Sequence, residues 1–402
     1  MNEWDFLKIR QMGTVITGKT PSKNAPSEWG EDYNFVTPSD YRNYLKYART
    51  SSRKLSELGF NSHKKRLIPK NSVLVTCIGS DMGKTVLNSS DCFTNQQINS
   101  LIPNNSVIDY DFAYYLFKNN EAVFKSLGSD GTAVPILNKS DFENIDFLIP
   151  DLPEQKAIAS VLSSLDDKID LLHRQNKTLE SMAETLFRQY FIEEAQEDWE
   201  DCNITDLFEV RDGTHASPKQ SVSGYPLVTS KHIGSGIIDF NNTYLISEED
   251  YSSINKRSKV EKFDILFSMI GTIGSTHIEL SDKINYAIKN VGLLKTSQNH
   301  DWKFYTYLWL LSSEGKDFIH ATKSGSTQEY ISLGSLRSIV FNKPDNNTLR
   351  KFNNIAEIHF NKIYKNNKQI ITLEKLRDTL LPKLMSGEVR VQYAEEAITS
   401  VA

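Results

Sequence analysis

The sequence is poor in cysteine and histidine, has no long apolar run, and lacks the short motifs that mark nucleotide- or metal-dependent catalysts. Its three cysteines, Cys77, Cys92 and Cys202, have no metal-ligand spacing, and an odd count argues against a disulfide framework. A reducing, cytoplasmic setting is the expectation. No stretch approaches ~18 consecutive apolar residues, so no membrane span is expected. The opening MNEWDFLKIR lacks the apolar core of a signal peptide. The eight histidines are scattered, with no His-Glu-x-x-His among them. There is no glycine-rich S-adenosylmethionine loop and no Asn-Pro-Pro-aromatic motif; NKPD at 342–345 is not one. GSDMGKT at 79–85 comes nearest to a phosphate loop, but three residues separate its glycines where that loop needs four. PDLPEQK at 150–156 has the letters of a nuclease site, yet acids at a helix start are explained by the helix dipole. These absences set the expectation of a chain that binds and does not catalyse.

What is present begins with uneven charge. The 402 residues carry a net charge of −5. Residues 1–150 hold 17 Lys/Arg and 16 Asp/Glu, whereas residues 151–200 hold 5 and 12. Within the first block, residues 41–70 carry Arg42, Lys46, Arg49, Arg53, Lys54, Lys64, Lys65, Arg66 and Lys70 against Glu57 alone. Local fields decide nucleic-acid binding, so the net charge does not exclude it.

The chain is also a duplication. Thr37 of FVTPSD aligns with Thr229 of LVTSKH, 229 − 37 = 192. Gly79 aligns with Gly271 at the same offset, and Tyr115 with Tyr307. Thr178 of KTLESMAETLF aligns with Thr372 of ITLEKLRDTLL, at 194. Four matches near one offset define two repeats. Strand-like runs at 72–79 and 264–271 end at glycine. Residues 111–119 and 302–313 read as short amphipathic helices.

Each repeat closes on a long helix. Ile158, Leu162, Leu165, Ile169, Leu172, Asn176, Leu179, Ala183, Leu186 and Tyr190 recur at alternating steps of four and three, the period of a coiled-coil seam. Asp151 can cap this helix over 152–190. Adding 194 gives Phe352, Ala356, His359, Ile363, Asn366, Ile370, Leu373, Arg377, Leu380 and Leu384, with Gly387 suited to a C-terminal cap. A helix with one apolar seam needs a partner. The two are expected to pair antiparallel, with paired positions summing to 542, so that Asn176 meets Asn366. The fold class is α+β: two tandem pseudo-repeated domains, each followed by a long helix, the helices forming an antiparallel coiled coil. The expected divisions are 1–150, 151–194, 195–345, 346–390 and a tail at 391–402.

The order of these parts, with the first helix opening LPEQKAIASVLSSLDDKIDLL and the second closing LRDTLLPKLMSGEVRV, resembles the specificity subunit of type I restriction–modification enzymes. TGKTPS and GSTQEYIS are further, weaker points of likeness, and the resemblance covers the whole chain. It implies two target-recognition domains that each read half of a split double-stranded DNA site. It further implies docking of two methyltransferase subunits on the helices, with motor-nuclease subunits joining them. The chain itself would bind no cofactor; S-adenosylmethionine, ATP and Mg would serve the partner subunits. The second helix opens NNTLRKFNNIAEI where the first has LPEQKAIA.

The candidate DNA contacts follow. Arg49, Arg53, Lys64, Lys65 and Arg66 are candidates for phosphate. Lys19, Thr20, Ser39 and Asp40, with Thr214, His215, Ser230 and Lys231 in the second repeat, lie in polar turns beside strand ends and could reach base edges. Ser80 and Lys84, with Thr272, lie in the duplicated glycine turn. Gly131, Thr132, Ser326, Thr327 and Gln328 form another duplicated turn. Glu154, Asp166, Asp167, Asp170, Glu180 and Glu184 make the long-helix surface acidic, a face for solvent or for a docked protein. Two other readings stay open: a coiled-coil scaffold without sequence-specific DNA binding, and a DNA methyltransferase with an unrecognised catalytic half.

Overall fold

A computed structural model describes residues 4–128, 135–234, 238–325, 328–392 and 394. It divides into two units: Met1–Leu171 with Gln369–Ala402, and Leu172–Lys368.

In the first unit, Val73–Thr76 is buried along its whole length, as expected of a strand covered on both faces. It lies inside a five-stranded sheet ordered Gly13–Thr17, Ile98–Pro103, Val73–Thr76, Thr85–Asn88, Tyr47–Ala48. The last pairing is parallel and the others antiparallel. A second sheet runs Trp29–Gly30, Arg53–Leu55, Tyr33–Val36, Phe93–Thr94. The helix Tyr110–Asn119 starts at Asp109, whose side chain accepts the Phe112 N–H, an ordinary N-cap. It buries Phe112 to Phe117 without a break.

The second unit repeats this plan. Ile265–Ser268 lies 192 residues after Val73–Thr76 and takes the same inner place, in the order Val210–Asp212, Val291–Leu294, Ile265–Ser268, Thr276–Ile278. Its companion sheet is Tyr244–Ile246, Tyr225–Thr229, Ala287–Lys289. Here too a parallel pairing follows an antiparallel one. The helix Lys303–Leu311 matches Tyr110–Asn119. In each unit the first strand pairs with the last strand before a long helix: Asp5–Lys8 with Asp146–Ile149, and Asp201–Asn203 with Val340–Asn342.

The long helices span Leu152–Arg188 and Asn346–Met385. The Asp151 carboxylate accepts the Glu154 N–H at 3.1 Å. The first helix ends in a π-helical turn, Gln189–Glu193. The second passes through Pro382 and stops at Met385, earlier than position 390. Gly387 then takes φ +72°, the left-handed conformation that favours glycine after a helix. Within the second unit the helices run antiparallel: Asn366 donates to Asn176 at 2.8 Å, while Phe191 meets Phe352 at 4.8 Å between ring centroids. Asn176 also donates to Asn367 at 2.7 Å, and Asn366 to Gln175 at 2.9 Å. Facing amides satisfy each other and reject apolar registers, the use to which a seam asparagine is best suited. Within the first unit Arg377 donates to Asp166 at 2.8 Å.

Gln155, in the PEQ opening, is buried and accepts the Asp109 N–H at 2.9 Å, while donating to the carbonyls of Pro150 and Val107. It therefore clamps the helix to its own domain. The second repeat has Leu349 there, fully buried, and moves the clamp one turn on. Asn353 donates to the carbonyl of Asp301, the residue equivalent to Asp109, at 2.7 Å. The missing PEQ is thus a change in how the helix is fastened.

Candidate nucleic-acid interface

In the first unit the polar turns converge because short backbone bonds tie them together. Lys19 N–H donates to the Thr94 carbonyl, and the Thr20 hydroxyl to the Gln96 side chain at 2.8 Å. Asn95 N–H reaches the Val36 carbonyl, beside the Thr37 turn, and Cys77 N–H the Gln97 carbonyl. Gly79 N–H donates to Pro135. Ser80 stands exposed in the glycine turn, and Lys84 pairs with Asp81 at 2.8 Å.

The second unit joins the equivalent turns by side chains. The Thr272 hydroxyl donates to the Ser230 carbonyl at 3.1 Å, and the Ser230 hydroxyl to the Asn290 carbonyl at 3.0 Å. Asn290 N–H in turn donates to Thr214, and its side chain meets His215 Nδ1 at 2.8 Å. The β-bridges Ile78↔Ile136 and Ile270↔Tyr330 bring the turn near Gln328 to the same neighbourhood, as they do the corresponding run of the first unit. Gly79 and Gly271 have φ +87° and +78°, and a β-carbon on either would meet open space. Gly131, Thr132, Ser326 and Thr327 lie outside the described residues.

Several expected contacts are corrected. Asp40 is 2% exposed. One carboxylate oxygen accepts the Thr37 N–H and hydroxyl, both at 2.8 Å, and the other the Ser52 N–H at 3.0 Å. Burial pushes its pKa up, and these hydrogen bonds reverse that to a net lowering. It holds a turn and offers nothing to a base. Its true counterpart is His232, which accepts the Thr229 N–H at 3.0 Å through Nδ1 and is equally buried. Ser39 and Lys231 are then equivalent and both exposed. Ser230 is buried and committed to Asn290. His215 has both ring nitrogens occupied, by Asp212 at 2.9 Å and by Asn290.

The basic stretch also sorts itself. Lys46 is buried: its ammonium lies 2.6 Å from Asp111, donates to Ser163 at 2.8 Å and sits over the rings of Tyr47, Tyr114 and Tyr115. Arg49 donates to Asp170 at 2.7 Å, and Tyr47 to Asp167 at 3.1 Å. The segment from Lys46 to Arg49 therefore fastens to the first long helix at three places, and Arg49 is not free for phosphate. The same bonds correct the acidic face of that helix. Asp167 and Asp170 hold the domain, and Asp166 is buried between Tyr115 at 2.7 Å and Arg377. Arg66 donates to the Thr17 carbonyl at 2.6 Å, whereas Lys64 and Lys65 are exposed on the turn Lys64–Arg66. Lys54 pairs with Glu31 at 3.6 Å.

No group of three or more His, Cys, Asp or Glu able to hold a metal occurs among the described residues, and none of their helices is long and apolar enough to cross a membrane. Cys77, Cys92 and Cys202 are free thiols, and burial pushes Cys77 and Cys92 up to about 12, which leaves them unreactive.

Two repeats, each with polar turns gathered on one patch and a long helix behind, match a family described as the type I restriction modification DNA specificity domain, over residues 1–181 and 196–375. The chain belongs to this family. It is 28% identical to the MjaIX specificity subunit of a type I restriction enzyme from Methanocaldococcus jannaschii, over 97% of this chain and 94% of that one. Over 149 residues it is 35% identical to the HindI specificity subunit of Haemophilus influenzae, 37% of this chain and 32% of that one. The solved type I restriction-modification S subunit from M. genitalium shares the fold, with a TM-score of 0.61 and 18% identity across 95% of this chain and 96% of the other. The protein is a DNA sequence-specificity subunit, the selecting and non-catalytic member of a type I restriction–modification complex.

Proposed function

We propose that each recognition domain reads one half of a bipartite site on double-stranded DNA, and that the long helices dock two methyltransferase subunits, to which motor-nuclease subunits attach. The chain binds no cofactor of its own; S-adenosylmethionine, ATP and Mg act in the partners, and the complex works in the cytoplasm. The observation that carries this reading is the duplicated patch. Equivalent turns gather in both domains on equivalent scaffolds, while the side chains they present differ, Ser39 against Lys231 and Ser80 against Thr272. Two readers of one construction with different letters suit a split, asymmetric site.

Neutralising Lys64, Lys65 and Arg66 together tests it. In the complex with the methyltransferase subunits, affinity should fall about equally for cognate and non-cognate duplexes. The slope of log affinity against log salt should shrink by roughly 0.9 for each phosphate that is no longer neutralised. Unchanged affinity and slope in a salt titration would remove this turn from the interface.

A further inference from the structure

The first recognition domain holds one cation in a way that no other exposed cation among its described residues is held. The Arg53 guanidinium carbon lies 3.5 Å from the centre of the Trp29 ring, van der Waals contact with its face, and 5.9 Å from that of Phe35. Among the described residues the guanidinium makes no hydrogen bond and no ion pair. Its strand is held on both edges: Arg53 pairs with Phe35 on one side, while Lys54 and Leu55, the next two residues, pair with Gly30 and Trp29 on the other. The preceding residue, Ser52, is tied by its N–H to buried Asp40, so this strand enters straight from the Thr37 turn of the polar patch. Stacking occupies a face of the guanidinium and leaves its in-plane fork of N–H donors unspent. Rotamer freedom is removed before any ligand arrives.

The second domain shows that this pair is not scaffold. Phe35 faces Arg53 across the sheet, and Leu227, 227 − 35 = 192 residues later, faces Tyr244 at the same register. The cation is absent there. So is the ring beneath it, for residues 217–224, SPKQSVSG, ahead of Tyr225–Thr229 contain no aromatic. The buried turn beside it is kept in both domains, with Asp40 in one and His232 in the other. A device present in one reader and missing from its duplicate belongs to what that reader alone must recognise.

Resting on the half-site reading above, we propose that Arg53, held flat on Trp29, reads a guanine in the half-site of the first domain through two hydrogen bonds to O6 and N7. A phosphate could use the same fork, but a lysine would serve there nearly as well, and neither a fixed plane nor an aromatic shelf would be needed.

The test uses the full chain assembled with its methyltransferase subunits and a duplex library varied at each position of the methylated motif. In Arg53→Lys, which keeps the charge and loses the fork, preference for G·C at one position of one half-site should fall tenfold or more. Every preference in the other half-site should persist, which also shows that the variant is folded. Trp29→Ala should relax the same position to a smaller degree. The proposal is overturned if R53K keeps the wild-type preference at every position. It is equally overturned if Arg53→Ala slows all sequences alike with a shallower salt dependence, the signature of a bond to phosphate only. A wild-type complex that methylates no defined motif would sink the half-site reading and this inference together, whereas the two R53 outcomes leave that reading standing.

Discussion

Replacing Lys46 with methionine should lower the stability of the first unit by about 3–5 kcal/mol, because one partner of a buried pair is removed and the other stays. Lys46 is 1% exposed at its side chain and Asp111 20%, so the stranded carboxylate gains little from water. At roughly 2–4 °C per kcal/mol for a unit of this size, the melting temperature should drop by about 10 °C. The loss should be pH-dependent with a definite sign. Burial, only partly offset by the Lys46 ammonium, already holds the Asp111 pKa above its ordinary value. A carboxylate with a raised folded pKa favours folding below its unfolded pKa and ceases to as pH rises through the folded one. Without Lys46 the folded pKa climbs further, so K46M should be least impaired in acid and most impaired near neutrality. The double variant K46M/D111L should recover most of the loss, since a well-packed apolar pair often matches a buried ion pair. Thermal melts of the three proteins at two pH values decide this. A K46M protein whose melting point at neutral pH matches wild type would mean that Lys46 can reach water from its pocket.

Arg377→Leu should cost about as much, again roughly 3–5 kcal/mol, by leaving Asp166 buried with the Tyr115 hydroxyl alone. Burial of the guanidinium would by itself lower its pKa, yet the facing carboxylates of Asp166 and Asp378 carry the net shift upward, so the charge is present at every working pH. Arg377→Lys keeps that charge but lacks the fork that spans Asp166 and Asp378, and should sit between the two. Asp166→Asn in the R377L background removes the stranded charge while keeping an acceptor for Tyr115, and should restore part of the stability. Urea unfolding of the four proteins measures the order. An R377L midpoint equal to wild type would show that this seam position is wet.

Much of the architecture was legible because duplication and periodicity are local signals. The offset of 192 located both inner strands, and the three-four spacing located the helices and the facing asparagines. The charges told less, for a physical reason. A charge run records only composition, and whether Lys46 faces DNA or Asp111, 111 − 46 = 65 residues on, or Arg49 faces DNA or Asp170, 170 − 49 = 121 residues on, has no local signature. The same is true of Asp166, Asp167 and Asp170, which read as an acidic face and serve as anchors. A single step of alignment separates Asp40 from its true counterpart: Thr37 and Thr229 fix the frame, and carrying that frame three residues on gives His232. The cap that Asp40 and His232 share was visible as Thr-x-x-Asp in one repeat and hidden as Thr-x-x-His in the other. Trp29 and Arg53 are 24 positions apart, and only the sheet brings them together.

That cap gives the two domains different acid tolerance. Asp40 accepts its turn's hydrogen bonds as a carboxylate, and its lowered pKa keeps it able to do so well into acid. His232 accepts through Nδ1, which demands the neutral ring. Burial, helped by the neighbouring Lys231 charge, pulls its pKa below the ordinary 6.5. A histidine of this kind supports the fold above its unfolded pKa and withdraws that support as pH falls through the folded one. Acidification from neutrality to below the ordinary histidine range should therefore loosen the Thr229 turn while the Thr37 turn stays closed, and His232→Asn should blunt the effect. Methylation profiles taken across that range would show one half of the address blurring before the other. A protein built by copying one reader would then fail asymmetrically, its second word fading while the first is still spelled in full.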